Sequence, residues 1–169
     1  MRLFIFLFAL CIISSVSAFN WEPTDAYAIK FSTAKAEGTF TDLKGTIDFD
    51  ADDLANANFD VSVAAASINT GNNTKDKHAI GESWLDAEHF PRISFQSHTF
   101  RESGDGYIVD GQLTIHGKKR PVSIPFSFDD NVFHGELSIN RRDFGIEGPF
   151  LFGGLVGDDV MVSLQIPVK

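Results

Sequence analysis

Cysteine is all but missing: the chain has one, Cys11, inside an apolar opening stretch that is expected to be removed. The remainder of the chain has no disulfide, no thiol nucleophile and no thiolate metal ligand, so its fold rests on core packing alone. Beyond Ala18 no apolar run approaches the about 20 residues that a membrane-spanning helix needs. Positive charge is scarce too, with 14 lysines and arginines against 23 aspartates and glutamates, for a formal net charge of −9. That balance argues against nucleic acid and anionic membrane surfaces as partners, since both attract basic patches. Tyrosine and tryptophan number two each, whereas phenylalanine numbers 17. The chain thus favours large apolar rings without polar handles.

The opening stretch has the layout of a secretory leader. Met1 and Arg2 make a short basic start, Leu3 to Ile13 is unbroken apolar sequence, and Ser14 to Ala18 is mostly small and ends Val-Ser-Ala. Cleavage is expected after Ala18, leaving residues 19–169 as one domain. Leu10 is not the small residue that lipid attachment at Cys11 would require, so no anchor is expected there.

Past the leader, apolar residues recur at every second position. Tyr27, Ile29 and Phe31 form one such set, and Ile47 and Phe49 end another within 38–50. Phe59, Val61, Val63 and Ala65 come after them, then Ile93 and Phe95. Next come Tyr107, Val109, Gly111, Leu113 and Ile115, and Val122, Ile124, Phe126 and Phe128. Phe133, Gly135, Leu137 and Ile139 precede a last set from Val160 to Val168. A period of two puts each set on one face of a strand. The short links His-Gly-Lys-Lys-Arg-Pro, Asp-Asp-Asn and Ser-Gly-Asp-Gly carry tight-hairpin residues, so sequential strands are antiparallel. About eight strands, each with one apolar face, favour a closed barrel or a sandwich. Helix is confined to a turn near 52–56 and one or two short pieces within 74–85.

Catalytic motifs are weak. Ser32-Thr33-Ala34-Lys35 matches S-x-x-K but falls in a strand-to-turn region without companion motifs. Gly153, Gly154 and Gly157 have no helix after them to present its amino terminus to a phosphate, so they read as a loop. By strand parity His98, His116 and His134 face water. His78 and His89 share a polar stretch with Asp76, Asp86 and Glu88, without the close spacing of a helical zinc site. No catalytic residue, metal ligand or cofactor is assigned. Eight strands enclose an interior that is either filled by side chains or holds one small ligand, and the residues alone leave both open.

Five motifs in order carry a resemblance that spans residues 19–169. Ser67-Ile68-Asn69-Thr70-Gly71, then Lys75-Asp76-x-His78, then Phe90-Pro91-x-Ile93-x-Phe95 resemble the S-I-x-T-G, R-D-x-H-L and Y/F-P-x-I-x-F series of the YceI-like polyisoprenoid-binding proteins. Gly111 to Gly117 resembles that family's G-x-L-T-I-x-G hairpin, and Asn140 to Gly145 its N-R-x-D-F-G element. Lys75, Ala79 and the Trp84-Leu85 pair depart from the usual arginine, leucine and two phenylalanines.

The resemblance implies an all-β, extended lipocalin-like barrel of eight antiparallel strands with a short helical insertion. It implies a periplasmic location and a non-catalytic role in carrying or storing a long-chain isoprenoid lipid or isoprenoid quinone. No cofactor beyond that lipid and no stable membrane insertion are expected, and a homodimer is compatible. The channel would be lined by Ile29, Phe31, Phe49, Val61, Val63, Trp84, Leu85, Phe90, Phe95, Leu113, Phe126, Phe128, Leu137, Phe144, Phe150, Phe152, Val162 and Leu164. An enzyme acting on an isoprenoid-like substrate, or a packed barrel acting through its surface, are the alternatives.

The stretch from Thr70 to Phe95 is long and polar yet holds Trp84, Leu85 and Phe90. It is expected to lie over one barrel end as a lid, with Trp84, Leu85 and Phe90 as the cap, Lys75, Asp76, Lys77 and His78 facing solvent at the rim, and Asp76 tied to Arg141 or Arg142.

Overall fold

In the computed structural model, which describes residues 20–148 and 156–169, the period-two segments are strands of one sheet. In chain order these are β1 (Asn20–Trp21), β2 (Ala28–Ser32), β3 (Glu37–Phe40), β4 (Lys44–Asp48), β5 (Asn58–Ala64), β6 (Arg92–Ser103), β7 (Gly106–Ile115), β8 (Lys118–Asp129), β9 (Val132–Asn140) and β10 (Asp159–Pro167). Among the described residues one α-helix, α1 (Asn73–Ala79), lies in the insertion, and 3-10 turns occupy Ala65–Ser67 and Arg141–Phe144. The leader residues 1–18 and the expected site or loop residues Phe150, Phe152, Gly153 and Gly154 lie outside the described residues.

The sheet has 10 strands in the order β1-β4-β5-β6-β7-β8-β9-β10-β2-β3, all neighbours antiparallel. It exceeds the expected eight because β1 is too short to show a period and because the 38–50 run breaks at Asp42, whose φ of 58° turns the chain between β3 and β4. The curled sheet is drawn together at both ends. At one end Glu22 and Thr24 exchange backbone hydrogen bonds with Lys169 and Pro167 beyond and within β10. At the other Thr39 pairs with Asn69, and Thr41 accepts from Ala64 N–H.

Hairpin chemistry sets the register. The β7–β8 link turns on His116 and Gly117, and the β8–β9 link on Asp130 and Asn131, all with φ between 51° and 69°. Paired positive φ values match the right-handed twist of the flanking strands. One strand departs from a simple period: β6 shifts register against β7 between Ser97 and Thr99. The extra residue, His98, lets both Phe95 and Phe100 point inward although their numbers differ in parity.

Gly111 in β7 is required by close approach. A Cβ there would stand 2.4 Å from the Gln96 carbonyl oxygen and 2.5 Å from the Phe95 ring. The missing side chain is what leaves room for the Phe95 ring beside Gly111.

Candidate functional site

The inward side chains do not meet along the barrel axis. They enclose a cavity of about 920 Å³, within the size range of ligand sites. Its walls are mainly hydrocarbon. Ile29 and Phe31 of β2, Val61 and Val63 of β5, Phe95 of β6, Leu113 of β7, Phe126 of β8, Leu137 of β9, and Val162 and Leu164 of β10 all line it. Trp84, Leu85 and Phe144 line it near the insertion.

Three expected wall residues lie elsewhere. Phe49 is 2% exposed and sits among the rings of Tyr107, Phe126, Phe128 and Phe133, at centroid distances of 5.1 to 5.5 Å. Its carbonyl accepts from the Trp21 indole N–H at 2.9 Å, which fixes the backbone where it leaves β4. Phe128 stacks on Phe133 at 4.3 Å in the same cluster. Together these rings make a solid floor, which takes Phe49 and Phe128 out of the wall. Phe90 is turned outward, its ring edge-on to His116 at 4.7 Å and close over Gly117. His116, expected to face water, is instead half-buried in this contact, and its Nδ1 has no hydrogen-bond partner among the described residues.

Opposite the floor the insertion covers the barrel end. Asn72 caps α1 by accepting from the Thr74 and Lys75 N–H groups. Asp76 does not reach Arg141 or Arg142 as expected. Its Oδ1 accepts from the Thr70 N–H at 2.8 Å and hydroxyl at 2.6 Å, because the chain turns back on itself at Gly71 and places Thr70 within reach. Beyond α1 the chain coils through Ile80 to Phe90, with backbone bonds such as Leu85 N–H to Ala79 and Phe90 N–H to Asp86. On the outer surface of this coil the Asp86 carboxylate, hydrogen-bonded at 2.8 Å, holds the His89 imidazole above the usual histidine range.

Trp84 and Leu85 turn inward against Ile115, Phe144 and Ile146, forming a second apolar cluster. The Arg141 guanidinium stands 5.5 Å from the Trp84 ring centre, near enough for a cation–π contact. Only 4% exposed, Arg141 donates to the carbonyls of Gly157 and Ile146 and to Asp158. Asp158 also takes Arg142 at 2.7 Å. The arginine pair therefore ties the 3-10 turn to the start of β10, and Arg141 itself forms part of the cavity wall.

Several lining residues are additional to those expected from sequence. Ile47, Phe59, Val109, Ile124, Phe133 and Ile139 share the parity of assigned neighbours, so the same period would have found them. Lys75, Lys77 and His78, expected at the rim, also line the cavity, as do Lys35 and Glu82, which carry no such signal. Among the described residues no group of three or more His, Cys, Asp or Glu is placed to hold a metal ion. Among them, too, no helix is long and apolar enough to cross a membrane.

Comparison with known proteins agrees with this architecture. A family model described as the YceI-like domain matches residues 15–168. A UPF0312 protein of Pseudomonas savastanoi is 32% identical over 123 residues, 66% of this chain and 64% of that protein. Another, from Pseudomonas fluorescens, is 36% identical over 124 residues, 64% of this chain and 63% of that protein. The match thus spans less than two thirds of these curated relatives. Among solved structures, Burkholderia cenocepacia BcnA superposes with a TM-score of 0.78 at 24% identity, covering 83% of this chain and 94% of that one. A polyisoprenoid binding domain from Saccharophagus degradans, implicated in plant cell wall breakdown, superposes at 0.61 with 14% identity, covering 88% and 96%.

Proposed function

The chain belongs to the YceI-like domain family, and from that premise we propose that it binds an amphiphilic isoprenoid lipid, a polyisoprenoid or an isoprenoid quinone, without chemical conversion. The tail lies in the barrel and the protein carries or stores it in the periplasm. The observation that carries this reading is the cavity: about 920 Å³, walled by hydrocarbon, closed by rings at one end and edged by polar groups at the other. A molecule with a long apolar tail and one polar end has the same form. The polyisoprenoid binding domain of like fold supports the choice of tail, and the leader-like start at Met1 to Ala18 supports export.

The magnitudes are adequate. At about 30 Å³ per water-sized group the cavity holds on the order of thirty heavy atoms. A tail of about twenty carbons gains on the order of 10 kcal/mol or more at about 0.8 kcal/mol per methylene. Association and ordering costs offset several kcal/mol, which leaves micromolar or tighter binding.

Trp84 reports on the cavity directly. Titration of the protein with geranylgeraniol, or with a quinone of similar tail, is expected to change the tryptophan emission saturably. The Trp84→Phe variant, which retains Trp21 in the floor, should bind comparably with a smaller spectral change, and extraction should recover the lipid unaltered. Absence of saturable binding by either compound, checked by isothermal calorimetry, overturns the proposal.

A further inference from the structure

We infer that the barrel mouth recognises a negatively charged headgroup, so that the preferred ligand is an isoprenoid ending in a phosphate rather than in a neutral alcohol or quinone ring. This rests on the tail-binding reading above and narrows it. The observation behind it is a reversal of charge. The whole chain has 23 acidic residues against 14 lysines and arginines. The cavity lining inverts that ratio, with Lys35, Lys75, Lys77 and Arg141 against Glu82 as its single carboxylate among the described residues.

Arg141 is committed to Asp158, but the three lysines are not: among the described residues none of their ammonium groups forms an ion pair. They also come to the cavity from separate parts of the chain. Lys35 is on the hairpin tip between β2 and β3, which the register of β2 with β10 places at the start of β10. Lys75 and Lys77 are on α1, held to the same end by the pairing of Thr39 with Asn69. That end is opposite the Phe49 floor, where the polar end of a bound lipid must emerge.

A phosphate monoester brings nearly two negative charges and three strong acceptor oxygens at neutral pH, enough to engage several ammonium groups together. Hydrocarbon walls behind the headgroup lower the local dielectric and strengthen the attraction. A positive mouth on an acidic body also steers anions toward the opening. Because the lysines are exposed, the effect must weaken in salt, which makes it measurable.

The test compares geranylgeraniol, geranylgeranyl monophosphate and inorganic phosphate on the intact protein, by Trp84 emission and by calorimetry. In low salt the monophosphate is expected to bind about tenfold more tightly than the alcohol. Near 1 M salt, where the screening length is about 3 Å, the gap should shrink to about threefold or less. The Lys35→Glu, Lys75→Glu, Lys77→Glu triple variant should bind the monophosphate no more tightly than the alcohol, with an unchanged circular dichroism spectrum showing that the barrel is intact. A preference kept by this variant overturns the inference. Equal affinity for alcohol and monophosphate overturns the inference and leaves lipid binding standing. Failure of both to bind overturns both readings. Inorganic phosphate binding as tightly as the lipid phosphate would identify a free-anion site and also overturn the inference.

Discussion

Phe49 shows how one side chain divides a barrel into floor and channel. It stands just past β4, its carbonyl is held by Trp21, and its ring is met edge-on by Tyr107, Phe126, Phe128 and Phe133. Edge-to-face pairs add about 0.5–1.5 kcal/mol each beyond the area they bury. Phe49→Ala is therefore expected to cost about 3–5 kcal/mol, read as a lower urea midpoint, with Trp21 emission moving to longer wavelength as water reaches the floor. Phenylalanine suits this place better than tyrosine, because a hydroxyl buried there would have to find a hydrogen-bond partner in a cluster made mostly of phenylalanine rings.

Among the elements, β6 and β7 show most clearly what a one-dimensional pattern carries. Alternation along β7 to β10 gives their inner faces directly, and the residue pairs His116-Gly117 and Asp130-Asn131 mark their turns because positive φ restricts residue choice. The bulge at His98 is hidden from such a pattern, since it is a relation between two strands rather than a property of one. So is the outward turn of Phe90, whose spacing in the Phe-Pro-x-Ile-x-Phe motif matches that of a wall residue. The same pair of strands offers a test. Gly111→Ala drives a methyl group into the Gln96 carbonyl and the Phe95 ring. It should cost about 1–3 kcal/mol in urea unfolding and weaken geranylgeraniol binding, because Phe95 is displaced toward the cavity it lines.

For the molecule as a whole, the hollow interior is an energetic fact as well as a shape. Residual cavity volume costs about 24 cal/mol per Å³ in packed cores. Held dry and unfilled, about 920 Å³ would exceed the 5–15 kcal/mol by which domains are stable. An interior of this size is open to water at its polar edge rather than sealed and dry, and under the proposed function an apolar tail is a better filler than water. Filling it from within should trade function for stability. Val162→Phe, which enlarges an inward residue of β10, is expected to weaken geranylgeraniol binding by about tenfold or more. Its thermal midpoint should stay level or rise by about 2–4 °C, as differential scanning calorimetry would show.

Composition and alternation sufficed for the all-β class, the antiparallel hairpins and most inward faces, because side chains must alternate across a pleated strand whatever surrounds them. They also marked the insertion as unusual through Trp84 and Leu85. Three things awaited tertiary structure: that the inner faces stand apart, that Phe49 and Phe128 form a floor rather than a wall, and that Lys35 lines the same cavity as Lys75 and Lys77. Each depends on how far the sheet curls and on which loops its ends draw together. Those are distances between residues remote in the chain, and a local pattern does not encode them.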